Sequence, residues 1–196
     1  PPVVPQVFAD SKFVFLANTA PALQMQLLEQ VADPHFIMAD TMNLWIENAN
    51  GDLKSLLKKV HALVINDAEA RSLAGQSNIV SAAMAILDMG PEMVIIKRGE
   101  YGSMLADKAG NYFVLPAYLT ADVKDPTGAG DSFAGAVMGY IAGMGSTETD
   151  VLKAAMAYGT VAASFTIEQF SLAGLLQLDR AAIDGRLGRL KGLITF

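Results

Sequence analysis

The chain has 196 residues, 52% of them hydrophobic, with a formal net charge of -6 and no cysteine. That length suits one domain with a sizeable core, the acidic balance without a Lys/Arg cluster argues against nucleic acid or an anionic membrane surface as partner, and the missing thiols exclude disulfides, thiolate metal sites and a cysteine nucleophile. Absence of cysteine also fits a cytoplasmic location. The longest apolar run, residues 133–144, is too short and too rich in glycine to span a membrane and reads as a buried helix. The chain opens Pro1-Pro2 without Met, so the lack of a visible targeting signal carries little weight.

Residues 12–18, Lys-Phe-Val-Phe-Leu-Ala-Asn, form an apolar run ending in a polar residue, and Pro21 then opens a helix carrying Leu23, Leu27 and Val31. The form recurs. Residues 35–40 end in Asp40 and lead through 41–47 into a helix with Leu53, Leu56, Leu57 and Val60, and residues 62–66 end in Asn66 before a helix over 67–74 that stops at Gly75. A further helix over 79–89 stops at Gly90, and residues 93–97 end in Lys97. Apolar runs without alternation predict strands covered on both faces, and the intervening helices predict parallel crossovers, hence an α/β fold. After Lys97, residues 103–107 and 112–115 flank Lys108-Ala109-Gly110-Asn111 and predict an antiparallel hairpin on the sheet edge. Helices are expected over about 132–144, 150–165 and 179–193, with no internal repeat.

In an open α/β sheet, ligands bind outside the carboxyl ends of the strands. Asn18, Asp40, Asn66 and Lys97 would therefore line one rim, although polar residues also follow strands simply because loops start there. Asp125-Pro126-Thr127-Gly128-Ala129-Gly130-Asp131-Ser132-Phe133-Ala134-Gly135 offers a second feature. Its small residues allow close backbone approach, and their N–H groups at a helix start favour an anion. Asp131 either caps that helix or serves a separate purpose, such as accepting a proton from a hydroxyl that attacks a phosphate. Asn66 and Glu69 stand three apart at a strand-to-helix junction, which suits either a capping box or Mg²⁺ held largely through water. The turn Lys97-Arg98-Gly99-Glu100-Tyr101-Gly102 places a cation and two glycines at the next strand end, for phosphate contacts or as a plain hairpin turn. Neither a Walker sequence nor a Gly-x-Gly-x-x-Gly after the first strand is present, which argues against P-loop and Rossmann readings. His35 and His61 fall at the opposite sheet end and are discounted. Trp45 beside Asn43 reads as packing or a pocket wall, and Gly135, Gly139 and Gly143 read as a face for close helix packing.

Together Asn66-x-x-Glu69, the Lys97-Arg98-Gly99-x-x-Gly102 turn and the Asp125 to Gly135 stretch resemble the ribokinase-like, or PfkB, carbohydrate kinase family. The resemblance implies a three-layer α/β/α fold with a mostly parallel central sheet. It implies an ATP-dependent phosphotransferase acting on a hydroxyl of a sugar or nucleoside. Asp131 would be the base and the amides of Gly128, Ala129 and Gly130 the anion hole, while Glu69 with Asn66 would organise Mg²⁺. Lys97, Gly99 and Gly102, with Ala154 and Tyr158 bordering the adenine, would lie along the ATP site, and Asn18, Asp40 and Asn43 would face the acceptor. It covers the later two-thirds of a typical member, so the chain is expected to be one nucleotide-binding and catalytic domain of an N-terminally incomplete kinase. The early strands, the Gly-Gly substrate region and the β-sheet lid that often mediates homodimerisation are absent from this stretch. Asp40-Thr41-Met42-Asn43-Leu44-Trp45 departs from the Asp-x-Asn-x-Arg pattern of some sugar-acid kinases in the family. Related vitamin kinases for pyridoxal or hydroxymethylpyrimidine often carry a cysteine at the anion hole, which this chain lacks. A nucleotide- or sugar-sensing module without turnover is the non-enzymatic alternative.

Overall fold

A computed structural model of the protein describes residues 2–195. In chain order its elements are β1 (Phe13–Leu16), α1 (Pro21–Leu28), β2 (Phe36–Asp40), α2 (Asn43–Asn48), α3 (Asn50–Leu57), β3 (Ala62–Asn66), α4 (Asp67–Ala74), α5 (Ile79–Asp88), β4 (Met93–Lys97), β5 (Ser103–Asp107), β6 (Tyr112–Leu115), α6 (Ala129–Met144), α7 (Thr149–Ile167), α8 (Ala173–Leu176) and α9 (Arg180–Ile194). The chain divides into two compact units, residues 1–97 with 104–113 and residues 98–103 with 114–196.

The strands lie in the order β1-β2-β3-β4-β5-β6. β1 to β4 pair in parallel, and the edge from β4 to β6 is antiparallel, as its short connections require. Because strand order follows chain order, right-handed crossovers place every intervening helix on one face. The core bears this out: Val14, Leu16, Ile37, Ala39, Leu63, Ile65, Val94 and Ile96 pack with Leu53, Leu56 and Leu57 of α3, Leu73 of α4 and Ile86 of α5. Each fully buried leucine contributes roughly 1.5–3 kcal/mol of transfer free energy. The alternate residues Met38, Ala62, Val64 and Ile95 are also buried, so β2, β3 and β4 are covered on both faces, as their unbroken apolar runs predict, whereas the edge strand β1 is fully buried on one face only.

Besides shifts of one or two residues and the short unexpected helix α8, three boundaries and one face differ from expectation. β1 stops at Leu16, because the Gln24 side chain takes the carbonyls of Leu16 and Ala17 at 3.0 Å each in place of a further ladder. The segment after β2 forms two short helices, broken at Ala49. α6 begins at Ala129, three residues before the predicted start, with Gly128 as its N-cap.

The face that differs is the glycine stripe of α6. A Cβ added to Gly135, Gly139 or Gly143 would meet nothing within 4 Å, because the buried face of α6 is set by Phe133, Ala134, Val137, Met138 and Ile141. The close-packing glycine is Gly159 of α7, whose Cβ would stand 2.8 Å from Val137 and 2.9 Å from the Phe133 carbonyl oxygen. Within the same unit, the Arg186 guanidinium of α9 lies 3.6 Å from the centre of the Phe165 ring and 4.7 Å from that of Tyr118, and donates to Ser164 and Glu168.

Chemical denaturation checks this assignment of faces. Gly159→Ala should destabilise the protein by about 1–3 kcal/mol through overpacking, whereas Gly139→Ala should leave stability unchanged or raise it by up to about 1 kcal/mol through helix propensity.

Candidate active site

In the first unit, pleat parity and register decide where the polar strand ends face. Asn66 pairs with Lys97, and Val64 lies between Asp40 on one side and Ile95 on the other. Asp40, Asn66 and Lys97 are thus on the face opposite the helix-covered core, at the carboxyl ends of adjacent strands. The Lys97 side chain reaches across β3 and puts Nζ 3.3 Å and 3.5 Å from the two Asp40 carboxylate oxygens. The Thr41 N–H donates to Asp40 Oδ1 at 2.9 Å. Asp40 is 3% exposed, and these contacts reach both of its carboxylate oxygens.

Asn66 caps α4. Its Oδ1 accepts from the Glu69 N–H at 2.8 Å, and Glu69 Oε2 accepts from the Asn66 N–H at 3.0 Å. The capping box is therefore formed, and both side chains are committed to it through one oxygen each. Burial pushes the Glu69 pKa above the ordinary carboxylate value; the Asn66 N–H and the Lys97 ammonium oppose that rise, and Asp40 adds to it. No group of three or more His, Cys, Asp or Glu residues able to hold a metal occurs among the described residues. The donors present are instead oxygens of one cap and one desolvated carboxylate, a set that suits Mg²⁺ bound mostly through water.

Asn18 lies two residues past β1. Its Oδ1 accepts from Trp45 Nε1 at 2.9 Å and its Nδ2 is 3.1 Å from the Met42 sulfur, so Trp45 orients the amide. Asn43 is the exposed first residue of α2. His61 accepts the Ile37 N–H at 3.0 Å through Nδ1 and stacks on Phe36, a structural role, as expected for the far sheet end. One residue that the sequence did not single out is Gln24 of α1, 1% exposed, whose Nε2 reaches the Asp40 carbonyl at 3.1 Å as well as those of Leu16 and Ala17. Three acceptors around one atom identify it as the amide nitrogen. α1 carries two glutamines, Gln24 and the exposed Gln26, and nothing in the sequence marks the first of them as such a clamp.

In the second unit, Asp125 opens the glycine turn. Its Oδ1 accepts from the Thr127 N–H at 2.9 Å, and the Thr127 hydroxyl and N–H hold its carboxyl below the usual range. Gly128 has φ 79°, a left-handed backbone that a side chain would strain, and from it α6 departs directly. The Ala129 N–H turns back to the Pro126 carbonyl at 3.2 Å, while those of Gly128 and Gly130 have no backbone acceptor among the described residues. Asp131 stands in the first turn of α6 and is exposed. The N-cap of α6 is Gly128, not Asp131, so the capping alternative does not describe it.

Gly99 begins a single 3-10 turn, and the Gly102 N–H donates to its carbonyl at 3.1 Å. A Cβ on Gly102, at φ 86°, would meet the backbone of Leu115 and Pro116. Tyr158 of α7 stacks on Tyr140 with ring centres 4.6 Å apart, and its hydroxyl accepts from Arg180 at 2.8 Å. Ala154 lies one turn earlier on the same helix and is half-buried.

A double-mutant cycle measures the Asp40–Lys97 pair. Lys97→Met should cost about 3 kcal/mol in denaturant unfolding, and Asp40→Asn in the same chain should restore at least half of that loss.

A model of the family described as pfkB family carbohydrate kinase matches residues 6–177. A cytidine kinase of Thermococcus kodakarensis is 27% identical over 143 residues, which are 71% of this chain and 50% of that protein. Among solved structures, a Vibrio cholerae fructokinase bound to fructose, ADP and a calcium ion superposes with a TM-score of 0.74 at 16% identity, over 90% of this chain and 61% of that one. The Salmonella enterica aminoimidazole riboside kinase, complexed with aminoimidazole riboside and an ATP analogue, gives 0.67 at 20% identity over 78% and 52%. The chain spans about half the length of the cytidine kinase. No described helix is long and apolar enough to cross a membrane.

Proposed function

Because this chain belongs to the pfkB family of carbohydrate kinases, we propose that it carries the phosphoryl-transfer machinery of an ATP-dependent kinase whose acceptor is a hydroxyl of a sugar or nucleoside. The observation that carries the reading is the start of α6: a left-handed Gly128 opens the helix, two glycine N–H groups lack backbone partners among the described residues, and an exposed carboxylate, Asp131, follows in the first turn. Helix-terminal N–H groups favour an anion, so the turn suits the transferring phosphoryl group. A carboxylate beside that anion is opposed electrostatically unless it has work to do, and taking the proton of the attacking hydroxyl is that work.

In this reading Gly128 and Gly130 present N–H groups to the phosphoryl oxygens, with Ala129 contributing when its long bond to Pro126 is exchanged. Asn66 and Glu69 hold Mg²⁺ through water, and the ion supplies charge neutralisation at the phosphates. Lys97 brings positive charge to the same strand ends, where it pairs with Asp40. Gly99 and Gly102 shape the nucleotide path, and Ala154 and Tyr158 border the base. Asn18, Asp40 and Asn43 face the acceptor. The names of the relatives divide between nucleoside and sugar acceptors, and the proposal covers both.

The test is a panel of sugars and nucleosides assayed with Mg-ATP. Asp131→Asn should lower transfer to the best acceptor by roughly a thousandfold or more while ADP affinity, read by calorimetry, changes less than about threefold. Turnover that survives the substitution would remove Asp131 from the role of base.

A further inference from the structure

We propose that Thr166 and Ser132 are positioning residues that fix the peptide plane of the phosphoryl-holding turn through a relay of two hydroxyls. This rests on the reading above, in which the amides at 128–130 face the phosphoryl group. Thr166 lies in the last turn of α7 and is 1% exposed. Its Oγ1 is 2.8 Å from Ser132 Oγ, and Ser132 Oγ lies 2.9 Å from the Gly128 carbonyl oxygen. Two hydroxyl oxygens at 2.8 Å need a proton between them. The Ser132 proton goes to the Gly128 carbonyl, which has none of its own, so Thr166 is the donor to Ser132. Its alternative acceptor, the Ala162 carbonyl, is longer at 3.2 Å.

The Gly128 carbonyl also accepts the Ser132 N–H at 2.9 Å. One residue therefore holds that oxygen through both backbone and side chain, and Thr166 holds the side chain. A peptide group is planar, so the direction of the Gly128 C=O dictates the direction of the Ala129 N–H on its far side. Locking the carbonyl towards Ser132 fixes the Ala129 N–H at the N-terminal end of the helix, where it rests on the Pro126 carbonyl at 3.2 Å and from where an anion would take it over. The same end of α7 grips the other arm of the turn, since the Ile167 carbonyl accepts from the Lys124 N–H at 2.8 Å and the Asp125 N–H at 3.2 Å. The Thr166 methyl lies 3.9 Å from where a Gly128 Cβ would stand and packs beneath the turn. Both arms of the turn thus take their position from two consecutive residues, Thr166 and Ile167.

Three variants test the relay in steady-state kinetics with Mg-ATP and the best acceptor. Thr166→Val keeps the methyl contact and removes the donor, Ser132→Ala removes the bridge, and Thr166→Ser keeps the hydroxyl. Thr166→Val and Ser132→Ala should each lower kcat by about tenfold with KM for ATP changed less than about twofold, because a misaimed amide is felt most where phosphoryl charge develops. Thr166→Ser should recover most of the loss, and the Ser132→Ala/Thr166→Val double variant should be no slower than Ser132→Ala. In the unliganded protein, hydrogen exchange of the Ala129 amide should quicken several-fold in Thr166→Val and Ser132→Ala, a reading that needs no turnover. If kcat per folded molecule and Ala129 exchange stay at the parent values while Asp131→Asn is inactive, the relay is overturned and the site stands. If Asp131→Asn is fully active, the site reading falls, and the relay with it.

Discussion

The left-handed backbone of Gly128 is the constraint on which the candidate chemistry depends. At φ 79° the chain turns abruptly from Asp125-Pro126-Thr127 into α6, and the helix starts with its first N–H groups unobstructed by any side chain at the cap. Almost every other residue at 128 would pay for that geometry in strain. Ala129 and Gly130 then enter the helix despite their small size, and Asp131 is carried to an exposed place one turn from the cap. The free N–H groups at the helix start and the nearby acid arise from this one backbone choice.

The first unit solves a different electrostatic problem. Parallel strands in chain order bring polar ends to one side, and pleat parity points Asp40, Asn66 and Lys97 to the same face. Burying Asp40 there is tolerable because Lys97 crosses β3 to meet its carboxylate, the Thr41 N–H donates to the same carboxylate, and the Gln24 clamp holds its backbone carbonyl. Glu69 shares this field. Burial raises its pKa, the Asn66 N–H and Lys97 draw it down, and Asp40 adds to the rise. An added divalent cation would act on the same balance.

Much of this was legible in the residues. The strands β3, β4, β5 and β6 coincide with their predicted spans because each apolar run is bounded by a charge, a glycine or a proline. The resemblance to the PfkB family, drawn from three short motifs, is borne out by the family match. The start of α6 was misplaced because Gly-Ala-Gly has low helix propensity and reads as loop, whereas the left-handed cap lets the helix begin there. The face of α6 was misassigned because glycine spacing carries less weight than the bulk of Phe133, Val137 and Ile141, which choose the buried side. For Asn66 and Glu69 the spacing allowed two readings, and the capping box is present. Gln24 and Thr166 left no trace, since their partners lie in other elements and a polar residue in a helix reads as solvated.

The central claim is that the N–H groups at the start of α6 receive the terminal phosphate of the nucleotide. Amide NMR of the ¹⁵N-labelled chain, titrated with a non-hydrolysable ATP analogue and Mg²⁺, addresses it most directly. The account predicts that the largest shifts fall on Gly128, Gly130 and Asp131. Saturable nucleotide binding that leaves these three amides unmoved would contradict it.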